Sequence, residues 1–220
     1  MASISWSAPQ PLLTLSNRMS FIGLTYLHLT AALVVTAVSS EYPLFPNKST
    51  VVTIAEVITI FVLIFLLTGA KPGPYKYVLF AAFCLLIGQT LAPKVDKLQE
   101  KGTLREVLVS VGGIFLAMTV VGFLDNQNLL GFGGYALAAL IGLIIARIAL
   151  MIANMASPES MDFSKINTIL NWFATVLFSF YVAYDTQRLK DKTVQRGKDY
   201  VDASLGLFLD ILNLFSSMDD

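Results

Sequence analysis

Five ionisable residues stand inside or at the edge of long apolar runs: His28, Glu56, Arg147, Asp185 and Asp210. A titratable group in hydrocarbon is costly, so each calls for a partner and a reason. The two aspartates carry the most chemistry. Asp185 closes one run in Tyr184-Asp185-Thr186-Gln187, and Asp210 lies within the next, Leu207-Phe208-Leu209-Asp210-Ile211-Leu212-Asn213. A polar hairpin from Thr186 to Asp202 folds the second run back beside the first. Counted from Ala203, Asp210 is about eight residues, or ~12 Å of helical rise, into its run, whereas Asp185 is expected at the mouth. A modest shift or tilt of the last helix lets the carboxylates meet. Two carboxylates in a low dielectric cannot both ionise cheaply, so such a pair shares a proton and titrates as a unit. Proton-linked, the helices are clamped; deprotonated, they repel and can coordinate a hard cation such as calcium, transiently, through oxygen. Spacing leaves a second reading open, in which Asp185 caps the loop in water and Asp210 hydrogen-bonds a neighbouring helix.

Asn213 follows Asp210 by three residues and Asn171 precedes Asp185 by fourteen, so each shares a helical face with its carboxylate. These amides either line a polar path or join helices by hydrogen bonds. Glu56 is a partner for Arg147 or a step on an ion path, and Arg147 either pairs inward or snorkels to an interface. His28, in Tyr26-Leu27-His28-Leu29, is read as a neutral histidine hydrogen-bonded within the bundle, with proton relay as the alternative.

The elements that hold these residues follow from composition. Of 220 residues, 55% are hydrophobic and 14% charged, with a mean hydropathy of +0.69. Soluble domains carry charge on roughly a quarter of their residues, so the bilayer is the expected solvent. Seven apolar segments, 21–38, 51–68, 75–92, 104–124, 132–156, 166–184 and 203–218, predict an all-α, polytopic membrane protein forming one domain over 1–220. Helices are required because hydrocarbon offers backbone groups no partner, and period-two alternation is lacking. The last segment, short and holding Asp210 and Asn213, is expected to be surrounded by protein. Gly134, Ala138, Gly142 and Ala146 form a strip at four-residue spacing that permits close helix packing, expected inside the bundle, with homodimerisation the alternative. A monomer or weak homo-oligomer in contact with lipid is the corresponding expectation.

Fifteen Lys and Arg balance fifteen Asp and Glu, which argues against a nucleic-acid-binding surface. With the N-terminus inside, inner segments hold eight of the basic residues and outer ones six, so a cytoplasmic N-terminus is expected by a narrow margin. The one cysteine, Cys84, excludes an intrachain disulfide and a cysteine-based zinc site. Met1 to Arg18 contains Pro9 and Pro11 and lacks the layout of a cleaved signal peptide, so the first apolar run is expected to remain as an anchor. Asn47-Lys48-Ser49 matches the short N-glycosylation pattern. No P-loop, GxGxxG, HExxH or GxSxG occurs, so no tightly bound cofactor and no enzyme activity are expected.

Two blocks across the basic hairpin, Phe178-Ser179-Phe180-Tyr181-Val182-Ala183-Tyr184-Asp185-Thr186-Gln187-Arg188-Leu189 and Ala203-Ser204-Leu205-Gly206-Leu207-Phe208-Leu209-Asp210-Ile211-Leu212-Asn213-Leu214-Phe215, resemble the closing signature of the transmembrane BAX inhibitor motif family. Arg18-Met19-Ser20-Phe21-Ile22 and Thr25-Tyr26-Leu27-His28-Leu29 resemble the first helix of its bacterial-type members, and Glu56 and Gly88-Gln89-Thr90-Leu91-Ala92-Pro93 are milder matches. The resemblance implies seven helices with a short central seventh enclosed by the other six. It also implies a pH-sensitive calcium leak in a bacterial inner membrane or a eukaryotic organelle membrane, and a role in calcium homeostasis and cell-death suppression. Asp185 and Asp210 would then be the paired sensor and calcium the permeant ion; Glu56, Arg147, Asn171 and Asn213 stay, by their positions in the spans, candidates for an ion path or a latch. Where some members latch the pair with an arginine at the end of helix two, this chain has Leu67-Thr68-Gly69-Ala70, and Lys71 is the nearest cation. An ammonium makes a weaker, non-bidentate latch.

Two further functions compete. A non-conducting regulator would bind a membrane protease, a channel or another membrane-protein partner through its helices. An intramembrane aspartyl protease shares the Tyr-Asp of one helix but needs Gly-x-Gly-Asp on the next, where this chain has Leu207 and Leu209.

Overall fold

The computed structural model describes residues 15–44, 49–124, 129–156, 163–190 and 199–218, with the side chains of 15–20, 50, 155 and 156 left out. Asn47 and Lys48 of the glycosylation pattern, and Lys192, Arg196 and Lys198 of the basic hairpin, lie outside the described residues. The described chain is helical throughout: α1 (Leu15–Glu41), α2 (Thr50–Gly69), α3 (Pro74–Glu100), α4 (Leu104–Leu124), a 3-10 turn (Leu129–Phe132), α5 (Gly133–Ala156), α6 (Phe163–Lys190) and α7 (Tyr200–Ser217). Six of these, all but α7, contribute stretches of 19 to 28 residues long and apolar enough to cross a membrane. Ile54, Phe61 and Phe65 on α2, and Ile145, Ile148 and Met151 on α5, point outward. A continuous apolar exterior of this kind suits lipid and not water.

Local chemistry sets the helix ends. Ser49 caps α2 by accepting from Val52 N–H, and Pro74 opens α3 at a position whose N–H has no partner in any helix. Pro93 and the charge run after it suggest a stop near residue 92, yet α3 continues to Glu100, because Val95 and Leu98 go on being buried. Proline costs one backbone bond there, and the packed face outweighs it.

The bundle is organised around α7, whose main neighbours are α1, α3, α4 and α6. α2 packs on α3 and α5 on α6, so both are peripheral to α7. α7 is thus enclosed mainly by four of the six other helices. The strip on α5 is a correction. Gly134, Ala138 and Gly142 are exposed, a Cβ at either glycine would meet nothing within 4 Å, and α5 buries Ala136 and Leu143 instead.

α1 and α3 pack closely through Gly88, where a Cβ would stand 2.5 Å from the Thr36 carbonyl oxygen and 2.6 Å from Ser39 Cβ. That approach allows Thr36 Oγ1 to donate to the Cys84 carbonyl (3.1 Å), Ser39 Oγ to the Leu85 carbonyl (2.7 Å), and Gln89 Nε2 to the Ser39 carbonyl (2.7 Å). Gly88→Ala must push backbone from backbone, since the blocking oxygen is not on a flexible side chain. We expect it to cost about 1–3 kcal/mol, read as a lowered thermal midpoint in detergent; an unchanged midpoint would refute the close-packing account.

Candidate functional site

Asp185 is not at the mouth of its helix. α6 runs on through Thr186, Gln187 and Leu189, all buried, and ends at Lys190, while α7 starts at Tyr200. Arg188 and Lys190 in the last turn of α6 are the sign of charge that its C-terminal dipole favours. Both aspartates are thus set within helices, and the depth mismatch expected from the hairpin boundaries narrows to about one helical turn.

The two helices meet at Gly206, where a Cβ would lie 2.6 Å from Asp185 Oδ2. Gly206 is one turn before Asp210, so the carboxylate of Asp185 rests on the face of α7 that carries Asp210. The two aspartates and Tyr181 lie within electrostatic reach of one another. Asp185 is 20% exposed and has Arg188 Nη1 at 3.8 Å from its Oδ1. Asp210 is 6% exposed, and its Oδ2 is buried with no hydrogen-bond partner among the described residues. An orphaned carboxylate oxygen is expensive.

Thr175 Oγ1 and Ser217 Oγ hydrogen-bond across α6 and α7 at 2.9 Å, which with the Asp185–Gly206 contact fixes the antiparallel register. In that register Ser179 is level with Asn213. Asn213 Nδ2 donates to the Leu209 carbonyl of its own helix (2.8 Å) and does not join helices. Asn171 is buried and accepts from Arg147 Nη2 through Oδ1 (2.8 Å), tying α5 to α6. Arg147 thus pairs inward, with an amide; Glu56 is buried on α2, which packs on α3.

Lys71 is exposed in the α2–α3 turn. The buried cation nearby is Lys76, in the first turn of α3. It is 2% exposed, and its Nζ lies 2.6 Å from Asp202 Oδ1, 3.3 Å from Asp199 Oδ2 and 3.3 Å from the Ala70 carbonyl oxygen. Asp199 also caps α7 by accepting from Asp202 N–H (2.9 Å). One ammonium therefore joins the α2–α3 turn to the start of α7. Beside it the hydroxyls of Tyr77 and Tyr200 hydrogen-bond each other, and the His28 ring packs on both, 5.6 Å and 4.8 Å between centroids. His28 donates Nδ1–H to the Leu24 carbonyl (2.8 Å), a bond within its own helix. Nothing local in the sequence marks Lys76, because its partners follow it by more than 120 residues.

The model of a family described as inhibitor of apoptosis-promoting Bax1 matches residues 18–218. An uncharacterised protein of Helicobacter pylori strain J99 is 28% identical over 92% of this chain and 86% of its own length. Bax inhibitor 1 of Schizosaccharomyces pombe is 26% identical, over 91% of this chain and 74% of that protein. Inner membrane protein YbhL of Escherichia coli K12 is 28% identical over 62% of this chain and 58% of that protein.

Proposed function

The chain belongs to the family of inhibitors of apoptosis-promoting Bax1 and is a multi-pass integral membrane protein, and from that premise we propose that it is a proton-gated calcium leak with Asp185 and Asp210 as the gate. The observation that carries the reading is the buried Asp210 Oδ2, without a hydrogen-bond partner among the described residues, one turn from the Gly206 contact of a second carboxylate. With one proton between them, the aspartates hold α6 to α7. As pH rises and the proton leaves, two negative charges in a low dielectric repel, the helices part, and carboxylate oxygen becomes available to calcium passing through. The sign is definite: flux rises with pH across the window in which the pair loses its shared proton. Calcium is cargo here and not a resident metal; Glu56, buried on α2, would be a further carboxylate along its route. By moderating stored calcium, such a leak would act in calcium homeostasis and, in a cell with a death pathway, in its suppression. The N-terminus is assigned to the cytoplasm on the basic-residue count.

Calcium flux into dye-loaded proteoliposomes from pH 6 to 8 tests this. Wild type should show rising flux, and Asp210→Asn, a neutral stand-in for the protonated group, should be low and flat. If the variant matched wild type in rate and pH response, the assignment would fail. A wild type silent at every pH would instead favour a non-conducting regulator of another membrane protein.

A further inference from the structure

Beyond the aspartate pair, α6 carries Asn167, Asn171, Thr175 and Ser179 at four-residue spacing, a polar strip that nothing in apolar packing requires. Hydrogen bonds link it from Asn171 to Ser179. Arg147 donates to Asn171, Thr175 Oγ1 to the Asn171 carbonyl (2.9 Å), and Ser179 Oγ to the Thr175 carbonyl (2.6 Å). The Thr175–Ser217 bond then brings α7 in, and Asn213 and Asp210 continue on that helix. From Asn171 to Ser179 the strip spans about 12 Å of helix.

Its far end opens into a cleft of about 240 Å³ between α5 and α6, lined by Arg147, Leu150, Met151, Asn154, Phe163 and Asn167. Among the described residues of that lining, Arg147 is the one that carries a charge. The guanidinium sits where the cleft meets the strip, held by buried Asn171.

We infer that Arg147 is a specificity-determining residue, a fixed positive barrier at the α5–α6 end of the polar strip that limits cation entry toward Asp210. The inference rests on the proposed leak. A guanidinium does not give up its proton at any physiological pH, so this barrier is constant while the aspartate gate is titratable. A fixed cation at a narrow mouth repels calcium more than a monovalent ion and favours anions, the general action of arginine in pores. It would make the open state a slow leak instead of a high-conductance pore.

The experiment compares wild type, Arg147→Gln, Arg147→Lys and the double variant Arg147→Gln/Asp210→Asn in proteoliposomes at pH 8, with calcium influx and the cation-to-anion permeability ratio in planar bilayers as readouts. Glutamine keeps a donor for Asn171 and removes the charge, and thermal midpoints in detergent check that each variant is folded. Arg147→Gln should raise calcium influx about five- to tenfold, with the excess shrinking as salt is raised, and shift permeability toward cations. Arg147→Lys should stay near wild type. The double variant should return to the low flux of Asp210→Asn, because the barrier and the gate lie on one route. Equal flux in Arg147→Gln and wild type, or an excess that survives Asp210→Asn, overturns the inference while leaving the gate intact. A wild type that conducts nothing removes the reading on which it rests, and the inference with it.

Discussion

Lys76→Met is expected to destabilise the protein by about 3 kcal/mol or more, the range found when one partner of a buried ion pair is removed and the other is left. The charge balance accounts for the size. Lys76 stands in the first turn of α3 and faces the first turn of α7, so both helix dipoles oppose it. Asp199 and Asp202 make it tolerable, and without the ammonium they are left as two like charges at close quarters. Asp202 is 26% exposed and can turn to water, whereas Asp199 is largely enclosed and committed to its cap. Lys76→Met/Asp202→Asn should accordingly lose less than the sum of its single variants, the signature of a direct coupling. Unfolding followed in detergent by tryptophan fluorescence would check both. Were Lys76→Met to unfold with wild type, the ammonium would not be what holds the start of α7.

How much of the molecule is legible in its sequence differs by residue, for physical reasons. The spans are readable because about twenty apolar residues in a row match the thickness of a bilayer and rarely occur in a chain folded in water. The aspartate motifs are readable because both blocks are intact around Asp185 and Asp210. The end of α6 is not. Thr186, Gln187, Arg188 and Lys190 read as loop by polarity, but the helix continues because Thr186, Gln187 and Leu189 are packed against protein. Polarity marks where lipid ends, not where a helix ends. The α5 strip misleads for the converse reason. In an apolar solvent small residues gain little by being inside, so Gly134 and Gly142 facing outward costs almost nothing. Lys76 and the Arg147–Asn171 contact depend on which helices become neighbours, and seven similar apolar runs do not specify that.

Gly206→Ala should flatten the pH response of calcium flux while leaving the protein at least as stable as wild type. The two effects have separate origins. In a helix interior alanine is favoured over glycine by about 1 kcal/mol, and the atom that a new Cβ meets, Asp185 Oδ2 at 2.6 Å, is the end of a side chain that can rotate away without moving either backbone. The helices therefore keep their packing and both carboxylates remain, but Asp185 is turned off the face that carries Asp210. Each acid then titrates alone, so the proton that the pair held leaves at lower pH and the rise in flux across pH 6 to 8 is flattened. Asp185→Asn removes a charge as well as the pairing, so only the glycine variant isolates geometry. A flux profile as steep as that of wild type, in a variant whose thermal midpoint is unchanged or raised, would mean that proximity at Gly206 is incidental to gating. A shallow profile in the same folded variant would make the contact between Asp185 and the α7 backbone the structural basis of the sensor.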